Sequence, residues 1–214
     1  ISDNAIDESA AGLGNNTTVT LSKEGTIKVE DDGRGIPVEI HKEEGRPTVE
    51  VVLTILHAGG KFDNTAYKTS GGLHGVGASV VNALSKWMKV WVVRNHQQYY
   101  IEFKDGGEVA IPLREEGRVD KMQGTTVEFY PDYTVMEKAP FEHEKIEARL
   151  RKVAYLNKNA HIKFIDEQLG TTQEFHFPEG LVAYVRDINA NKTPLFQQVV
   201  YAEKSLSIRS ATKH

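Results

Sequence analysis

The sequence predicts an α+β fold, in which helices cover a mixed, mostly antiparallel sheet to form a two-layer sandwich. Two observations favour this class. Helical and strand-like segments follow one another without regular β-α-β units, which argues against a doubly wound parallel sheet. Four strand-like segments near the middle of the chain, separated by short polar loops, predict an antiparallel meander.

The first third of the chain predicts two helices and two strands. Residues 1–11 have a helical pattern that ends at Gly12, and strands are expected at 17–21 and 26–30. The loop DDGRGIP follows the second strand. A second helix, ended by the glycines at 59 and 60, has apolar residues at helical spacing: Val49, Val52, Leu53 and Leu56.

A glycine-rich, almost uncharged loop precedes the third helix. In KTSGGLHGVGASVVNAL, residues 68–84, the glycines allow amide N–H groups to converge on a phosphate at a helix N-terminus. The sequence fits neither a P-loop, which needs Lys after Gly77, nor a dinucleotide fingerprint, which needs Gly in place of Val80. Taken alone, the loop could equally be a plain helix cap. The helix after it is expected to end near Trp87, with these apolar residues: Val76, Val80, Ala83, Leu84 and Trp87.

The remainder of the chain continues the mixed order. Asn-His, Asp-Gly-Gly and a longer charged loop separate the strands of the meander. The last dozen residues lose the apolar pattern and are expected to fray. The expected elements are strands at 90–94, 99–103, 109–113 and 125–130, a helix at 141–156, strands at 161–165 and 173–177, and a helix around 181–188.

Composition narrows the possible functions. With 214 residues, 39% of them hydrophobic, the chain is long enough for one compact domain over residues 1–214. A net charge of −4 with scattered basic residues argues against strong DNA binding by this domain. The absence of cysteine excludes disulfides and thiolate metal sites and suits a cytoplasmic protein, and no apolar run reaches membrane-spanning length. Because Ile1 lies inside a helical pattern with no cap and no initiator Met, the natural chain is expected to begin further upstream.

Two clusters carry candidate chemistry. Asn4 and Glu8 lie one turn apart on one helix face, and an amide oxygen is a neutral ligand suited to Mg²⁺. Asp31 ends an alternating strand beside flexible glycines, where its carboxylate could accept the exocyclic amino group of adenine. The plainer alternatives are a solvated helix face for Asn4 and an ordinary Asp-Gly turn for Asp31.

Five motifs in order carry a family resemblance over about residues 1–190. The chain resembles the ATPase domain of bacterial type II topoisomerases, that is, the gyrase B protein or its topoisomerase IV counterpart (ParE), with the GHKL or Bergerat fold. The wider superfamily also includes histidine kinases, Hsp90 and MutL, which remain the alternative. The motifs are SDNAIDE with Asn4, DDGRG at 31–35, LHAGGKF at 56–62, GGLHGVG at 71–77 and QGTTVEF at 123–129.

The resemblance implies an ATP site with Mg²⁺. Asn4 matches the asparagine that coordinates the metal, Asp31 matches the aspartate that binds adenine, and Thr125 matches the threonine that shares the adenine-linked water. Glu8 and Arg34 match a pair at the pocket rim, and Arg94 matches a rim arginine contacted by aminocoumarin inhibitors. The remaining residues expected to line the base pocket, the phosphate mouth or the lid are Gly35, Ile36, Pro37, Lys61, Leu73, His74, Gly75, Val76 and Gly77.

The resemblance also implies a larger enzyme and one missing group. The family's general base is a glutamate four residues before the asparagine, which here would precede Ile1, so no catalytic residue is assigned within the chain. This piece by itself is therefore expected to be a monomer that binds ATP and hydrolyses it poorly. The parent would be an ATP-dependent topoisomerase that binds DNA, joined to an A-type subunit (gyrase A or ParC-like) in an A2B2 heterotetramer in the bacterial cytoplasm, associated with the nucleoid. Gyrase and topoisomerase IV both remain open.

Overall fold

The computed structural model describes residues 1–56, 76–193, 196 and 198–202. Within these ranges the chain forms five helices and eight strands. The helices are α1 (Ser2–Ala10), α2 (Thr48–Thr54), α3 (Gly77–Ala83), α4 (His143–Leu156) and α5 (Leu181–Asn189). The strands are β1 (Asn16–Leu21), β2 (Ile27–Asp31), β3 (Ser85–Arg94), β4 (Gln97–Lys104), β5 (Glu108–Arg118), β6 (Gly124–Pro131), β7 (His161–Asp166) and β8 (Thr171–Phe175).

All eight strands form one mixed sheet in the order β5-β4-β3-β6-β2-β1-β7-β8. Every neighbouring pair is antiparallel except β1 and β7, which run parallel. Strands β3, β4 and β5 form the expected meander, but β6 is not its fourth strand. It returns to the other edge of β3 and joins that edge to β2. The predicted α+β class with a mixed, mostly antiparallel sheet is confirmed.

Helices α1, α2, α3 and α4 pack on the sheet through two apolar clusters. Helices α1 and α4 contribute Ile6 and Leu150 to a cluster with β1, β2 and β7. Helices α2 and α3 contribute Leu53 and Ala78 to a second cluster with β3, β4 and β6. Burying each large aliphatic side chain favours folding by about 1.5 to 3 kcal/mol. The first cluster therefore fixes α1 beside β1 and β2, and β6 pairs with β2 next to them.

Glycine ends α1 as the sequence predicts. Gly12 has φ of 73°, which is the left-handed conformation that a helix C-terminus favours. Its N–H donates to Ser9 O at 3.0 Å, and the Leu13 N–H donates to Glu8 O at 2.9 Å. These two bonds satisfy carbonyls at the end of α1 and turn the chain into β1.

Two predicted helices end earlier than expected. Helix α3 stops at Ala83, and Trp87 belongs to β3. The expected apolar face of α3 is also wrong, because Val80 and Leu84 are each 40% exposed. The buried face instead includes Asn82, whose Nδ2 donates to Leu53 O at 2.9 Å and ties α3 to the end of α2.

Helix α2 ends at Thr54, before the expected glycine stop. Leu56 is 59% exposed and does not extend the buried face. The expected stop at Gly59 and Gly60 lies outside the described residues. No helix in the described ranges is long and apolar enough to cross a membrane.

Candidate functional site

Asp31 and Thr125 meet where β2 and β6 lie side by side. Asp31 is the last residue of β2, and the β2–β6 register pairs its neighbour Glu30 with Thr126. The Oδ1 atom of Asp31 accepts hydrogen bonds from the backbone N–H of Gly33 at 2.9 Å and of Thr125 at 3.2 Å. Strand pairing thus brings together two residues 94 positions apart.

The Asp31 carboxyl is energetically perturbed. Burial raises its pKa from 3.8 to about 6, and the N–H donors of Gly33 and Thr125 offset only part of that rise. A folded protein gains no stability from a buried, ionised carboxylate whose partners do not compensate its desolvation. A carboxyl group with a pKa perturbed in this way is a candidate for ligand binding.

Glu8 and Arg34 form a partly buried ion pair at the edge of this site. The Arg34 guanidinium donates to both Glu8 carboxylate oxygens, at 3.2 Å from Nε and 3.1 Å from Nη2. The Arg34 backbone N–H adds a third bond to Glu8 at 3.0 Å. Gly33 lets the loop approach α1, since a Cβ there would lie 2.8 Å from Glu8 Cγ. These hydrogen bonds hold the loop after β2 against α1.

Gly35 fastens the same loop to β3. Its φ of 75° is left-handed, and a Cβ at this position would lie 2.7 Å from Val93 O. The Arg94 Nη1 atom donates to Gly35 O at 2.7 Å, and Arg94 Nη2 lies 3.8 Å from Glu39 Oε1. Only glycine fits this close approach without strain.

Thr125 also holds the residue after Gly35. The Ile36 N–H donates to Thr125 Oγ1 at 3.3 Å. Thr125 thus contacts Asp31 through its amide and Ile36 through its hydroxyl, while Ile36 and Pro37 are half-buried in the same loop. The structure brings the sequence-predicted residues of the loop together with Asp31, Thr125, Glu8 and Arg94.

Other sequence-predicted residues are less defined. Asn4 lies on α1 with an exposed side chain, one turn before Glu8. Val76 is the N-cap of α3 and Gly77 its first residue. The remaining predicted positions lie outside the described residues: Lys61, Leu73, His74 and Gly75.

Sequence reasoning missed the structural role of Asp32. Its Oδ1 accepts the backbone N–H groups of Asn15 and Asn16 at 2.7 and 2.8 Å, and its Oδ2 accepts Asn16 Nδ2 at 2.6 Å. A Cβ on Gly14 would lie 2.7 Å from Asp32 Oδ1, so the turn before β1 closes around this carboxylate. The two adjacent aspartates before Gly33 could have indicated this role, because only one of them can be the last residue of the strand.

An apolar cavity of about 210 Å³ lies apart from these residues, beneath α1 and α4. Its walls include Leu21, Phe129 and Leu150, and it contains none of the candidate site residues. Its lining is largely apolar, and Ser2 and Arg149 are its polar members. We therefore place the site at Asp31, where polar groups converge.

The arrangement is suited to recognition more than to bond cleavage. Asp31 can accept a hydrogen bond from a ligand amino group. The described residues contain no group of three or more acidic or histidine side chains placed to hold a metal ion. A metal at this site would rest on few protein ligands and on the oxygens of its substrate, as Mg²⁺ often does.

The chain is similar to several known proteins. A family described as "Histidine kinase-, DNA gyrase B-, and HSP90-like ATPase" matches residues 1–135. The DNA gyrase B protein of Mycoplasma pneumoniae is 51% identical, over 100% of this chain and 33% of the relative. The B protein of DNA topoisomerase 4 from Enterococcus faecalis is 46% identical, over 94% of this chain and 30% of the relative.

A solved structure extends the comparison to three dimensions. The 43K ATPase domain of Thermus thermophilus gyrase B, in complex with an aminocoumarin, is 38% identical with a TM-score of 0.79. The match covers 92% of this chain and 50% of that one. The chain spans about a third of the length of the curated relatives that it matches.

Proposed function

This chain belongs to the family of histidine kinase-, DNA gyrase B- and HSP90-like ATPases, and we propose from this premise that it is the ATP-binding domain of the B component of a type II DNA topoisomerase. Its relatives at 46 to 51% identity are the B components of gyrase and topoisomerase IV, which favours that branch over a kinase or chaperone. Residues 1–214 would form a single domain of the larger protein.

One observation carries the nucleotide proposal. Both backbone N–H groups that bind the Asp31 carboxylate do so at Oδ1. This leaves Oδ2, within the described part of the chain, for a donor from a ligand. The exocyclic amino group of adenine is such a donor, and Thr125 stands beside Asp31 to share a bridging water. A charge-assisted bond of this kind contributes about 1.5 to 3 kcal/mol.

Asn4, Gly77 and neighbouring residues would serve the triphosphate. The exposed Asn4 amide oxygen is a neutral ligand suited to Mg²⁺, which neutralises phosphate charge when bound. The lid assignment, from Leu73 to Gly77 with Lys61 at the mouth, rests on the family resemblance. No described residue is proposed as general base.

The rim would determine which inhibitors bind. The Glu8–Arg34 pair and the Arg94–Gly35 contact border the loop that carries Ile36 and Pro37. The similar Thermus thermophilus structure holds an aminocoumarin, and we propose that this class of compound also binds here, against Arg94 and Arg34. Guanidinium groups suit planar polar ligands because their donors are fixed in a fork.

We propose the activity of the whole protein by analogy with its relatives. We propose that ATP binding closes a dimeric gate and drives DNA strand passage, and that hydrolysis resets it. The partner would be an A-type subunit, gyrase A or ParC-like, in an A2B2 assembly in the bacterial cytoplasm at the nucleoid. DNA would be held mainly outside this domain, in keeping with its net charge of −4.

Calorimetry of ADP binding tests the proposal. The wild-type chain should bind ADP with Mg²⁺, and Asp31→Asn should remove binding because an amide presents a different pattern of donors and acceptors. Asp105→Asn makes the same chemical change in the turn after β4, where Asp105 pairs with Lys86 at 2.7 Å, and should bind as wild type. Equal binding by wild type and Asp31→Asn would refute the site.

A further inference from the structure

Lys121 lies in the connection between β5 and β6, beside the residue that we assign to adenine. Its Nζ atom donates to the backbone oxygen of Asp31 at 2.8 Å. Gly124, with φ of 143°, makes room for this contact: a Cβ there would lie 2.2 Å from the Asp31 oxygen and 2.7 Å from Lys121 Nζ. The Lys121 ammonium group and the Asp31 carbonyl therefore meet in a space that a side chain at position 124 would occupy.

The segment that carries Lys121 is held by the β3–β4 turn. The Val119 N–H donates to His96 O at 2.8 Å, and the His96 N–H donates to Met122 O at 2.9 Å. Both bonds flank Lys121, so its backbone position is fixed on each side. A surface lysine with a fixed base has less freedom to lose when it makes its contact.

Lys121 is one of the charged groups that affect the Asp31 carboxyl. Glu8 on α1 repels the Asp31 carboxylate and raises its pKa, whereas Lys121 lowers it. Glu8 is already paired with Arg34, and Asp32 is engaged by the turn before β1. Lys121 is thus a positive charge at Asp31 that does not already serve the Glu8 ion pair.

We infer that Lys121 is a positioning residue of the nucleotide site: its ammonium group fixes the Asp31 carbonyl at the end of β2 and supplies a positive charge beside the Asp31 side chain. This inference rests on the proposed function for its consequence. The charge keeps the carboxylate available as an acceptor at lower pH. Removing it should shift the pH at which adenine binding is lost.

The test compares Lys121→Met, which keeps an unbranched side chain of similar size but removes the charge, with Lys121→Arg, which keeps the charge on a longer side chain. ADP binding is measured between about pH 5 and pH 8.5, where protonation of Asp31 removes the acceptor. For Lys121→Met the acidic midpoint should rise by about 0.2 to 0.7 pH unit, the range expected of an exposed charge. Lys121→Arg should follow wild type. The titration of ADP itself is common to all variants and cancels in the comparison.

Three controls separate the possible causes. Lys163→Met removes an exposed lysine that pairs with Glu174 at 3.9 Å on β7 and β8, and should leave the midpoint unchanged. Raising salt from about 0.05 M to about 1 M should shrink the effect of Lys121→Met, since an exposed charge is screened. A carbon NMR titration of the Asp31 carboxyl should give the same shift without any nucleotide.

The outcomes are distinguishable. Coincident NMR and binding midpoints for wild type and Lys121→Met would overturn the inference, as would weaker binding at all pH values with no change in midpoint. If no variant binds ADP, the proposed function fails, and the NMR titration alone decides whether Lys121 acts on Asp31.

Discussion

Replacing Asp31 by asparagine should stabilise the folded domain while removing its nucleotide site. Asparagine has nearly the same shape, and its Oδ1 can keep the bonds from the N–H groups of Gly33 and Thr125. It carries no charge, so it avoids the desolvation that raises the Asp31 pKa. The same substitution that abolishes binding should therefore raise the free energy of unfolding of the ligand-free protein.

The magnitude follows from the pKa of Asp31. The shift from 3.8 to about 6 corresponds to roughly 3 kcal/mol, at about 1.4 kcal/mol per pH unit. Because the folded state holds its proton at a higher pH than the unfolded state, the penalty is fully present above about pH 6. It diminishes as the pH falls toward 3.8, where both states become protonated. We expect Asp31→Asn to gain about 1 to 3 kcal/mol at pH 8 and less at pH 5.

Urea unfolding at several pH values measures this gain. In a domain of this size, about 1 to 3 kcal/mol also raises the melting temperature by about 2 to 12 °C. Asp32→Asn is the matched control, since Asp32 accepts three hydrogen bonds from the turn before β1. An asparagine at 32 keeps one acceptor oxygen only, and the variant should lose about 1 to 3 kcal/mol.

The two aspartates should thus respond in opposite directions. A loss of stability for Asp31→Asn at pH 8, or a gain that does not depend on pH, would refute the assignment of desolvation as the dominant cause. A gain for Asp32→Asn would show that its three bonds do not compensate its own burial.

Three further substitutions test the site and its surroundings. Gly35→Ala should lose about 2 kcal/mol or more in urea unfolding, because its left-handed backbone leaves a Cβ only 2.7 Å from Val93 O; unchanged stability would contradict this geometry. Ser9→Ala should raise stability by about 1 kcal/mol, since the buried Ser9 hydroxyl has no hydrogen-bond partner among the described atoms, and a lower melting temperature would contradict the expectation. Thr125→Val should weaken ADP binding about tenfold by removing the acceptor for the Ile36 N–H, and Thr125→Ser should restore it; equal binding by both variants would dismiss the hydroxyl.

The fold was predictable where local chemistry and tertiary packing agree. Gly12 ends α1 because a left-handed turn is needed there, and the sequence shows this directly. Trp87 misled the prediction because its spacing also continues the pattern of the preceding helix. In the structure, the buried alternation of Met88, Val90 and Val92 extends β3 back to Ser85. The helical and the strand periodicity overlap at these residues. Pairing with neighbouring strands decides between them, and the local sequence does not reveal that pairing.

The candidate site residues were predicted from motifs and not from spacing, and their role in binding a nucleotide stays a prediction. Asp31 and Thr125 are far apart in the chain, and only the β2–β6 register brings them together. The position of β6, between β3 and β2, was itself predicted wrongly as the end of a meander. Family resemblance supplied the pairing that the strand pattern did not. Lys121 lies outside the five motifs. The role that we propose for it depends on its hydrogen bond to the Asp31 carbonyl, which forms only in the folded chain.

The adjacent residues Asp31 and Asp32 differ in how far the protein itself satisfies their carboxylates. Asp32 is satisfied by three donors from its own protein, and its side chain fixes the turn before β1. Asp31 receives both of its backbone donors at one oxygen and has a pKa raised by burial. A site that binds adenine through this carboxylate regains on binding part of what folding loses, because the ligand supplies the missing donor. Under the proposed function, the uncompensated desolvation of Asp31 would contribute to its affinity for adenine, while the hydrogen bonds of Asp32 hold the adjoining turn in place.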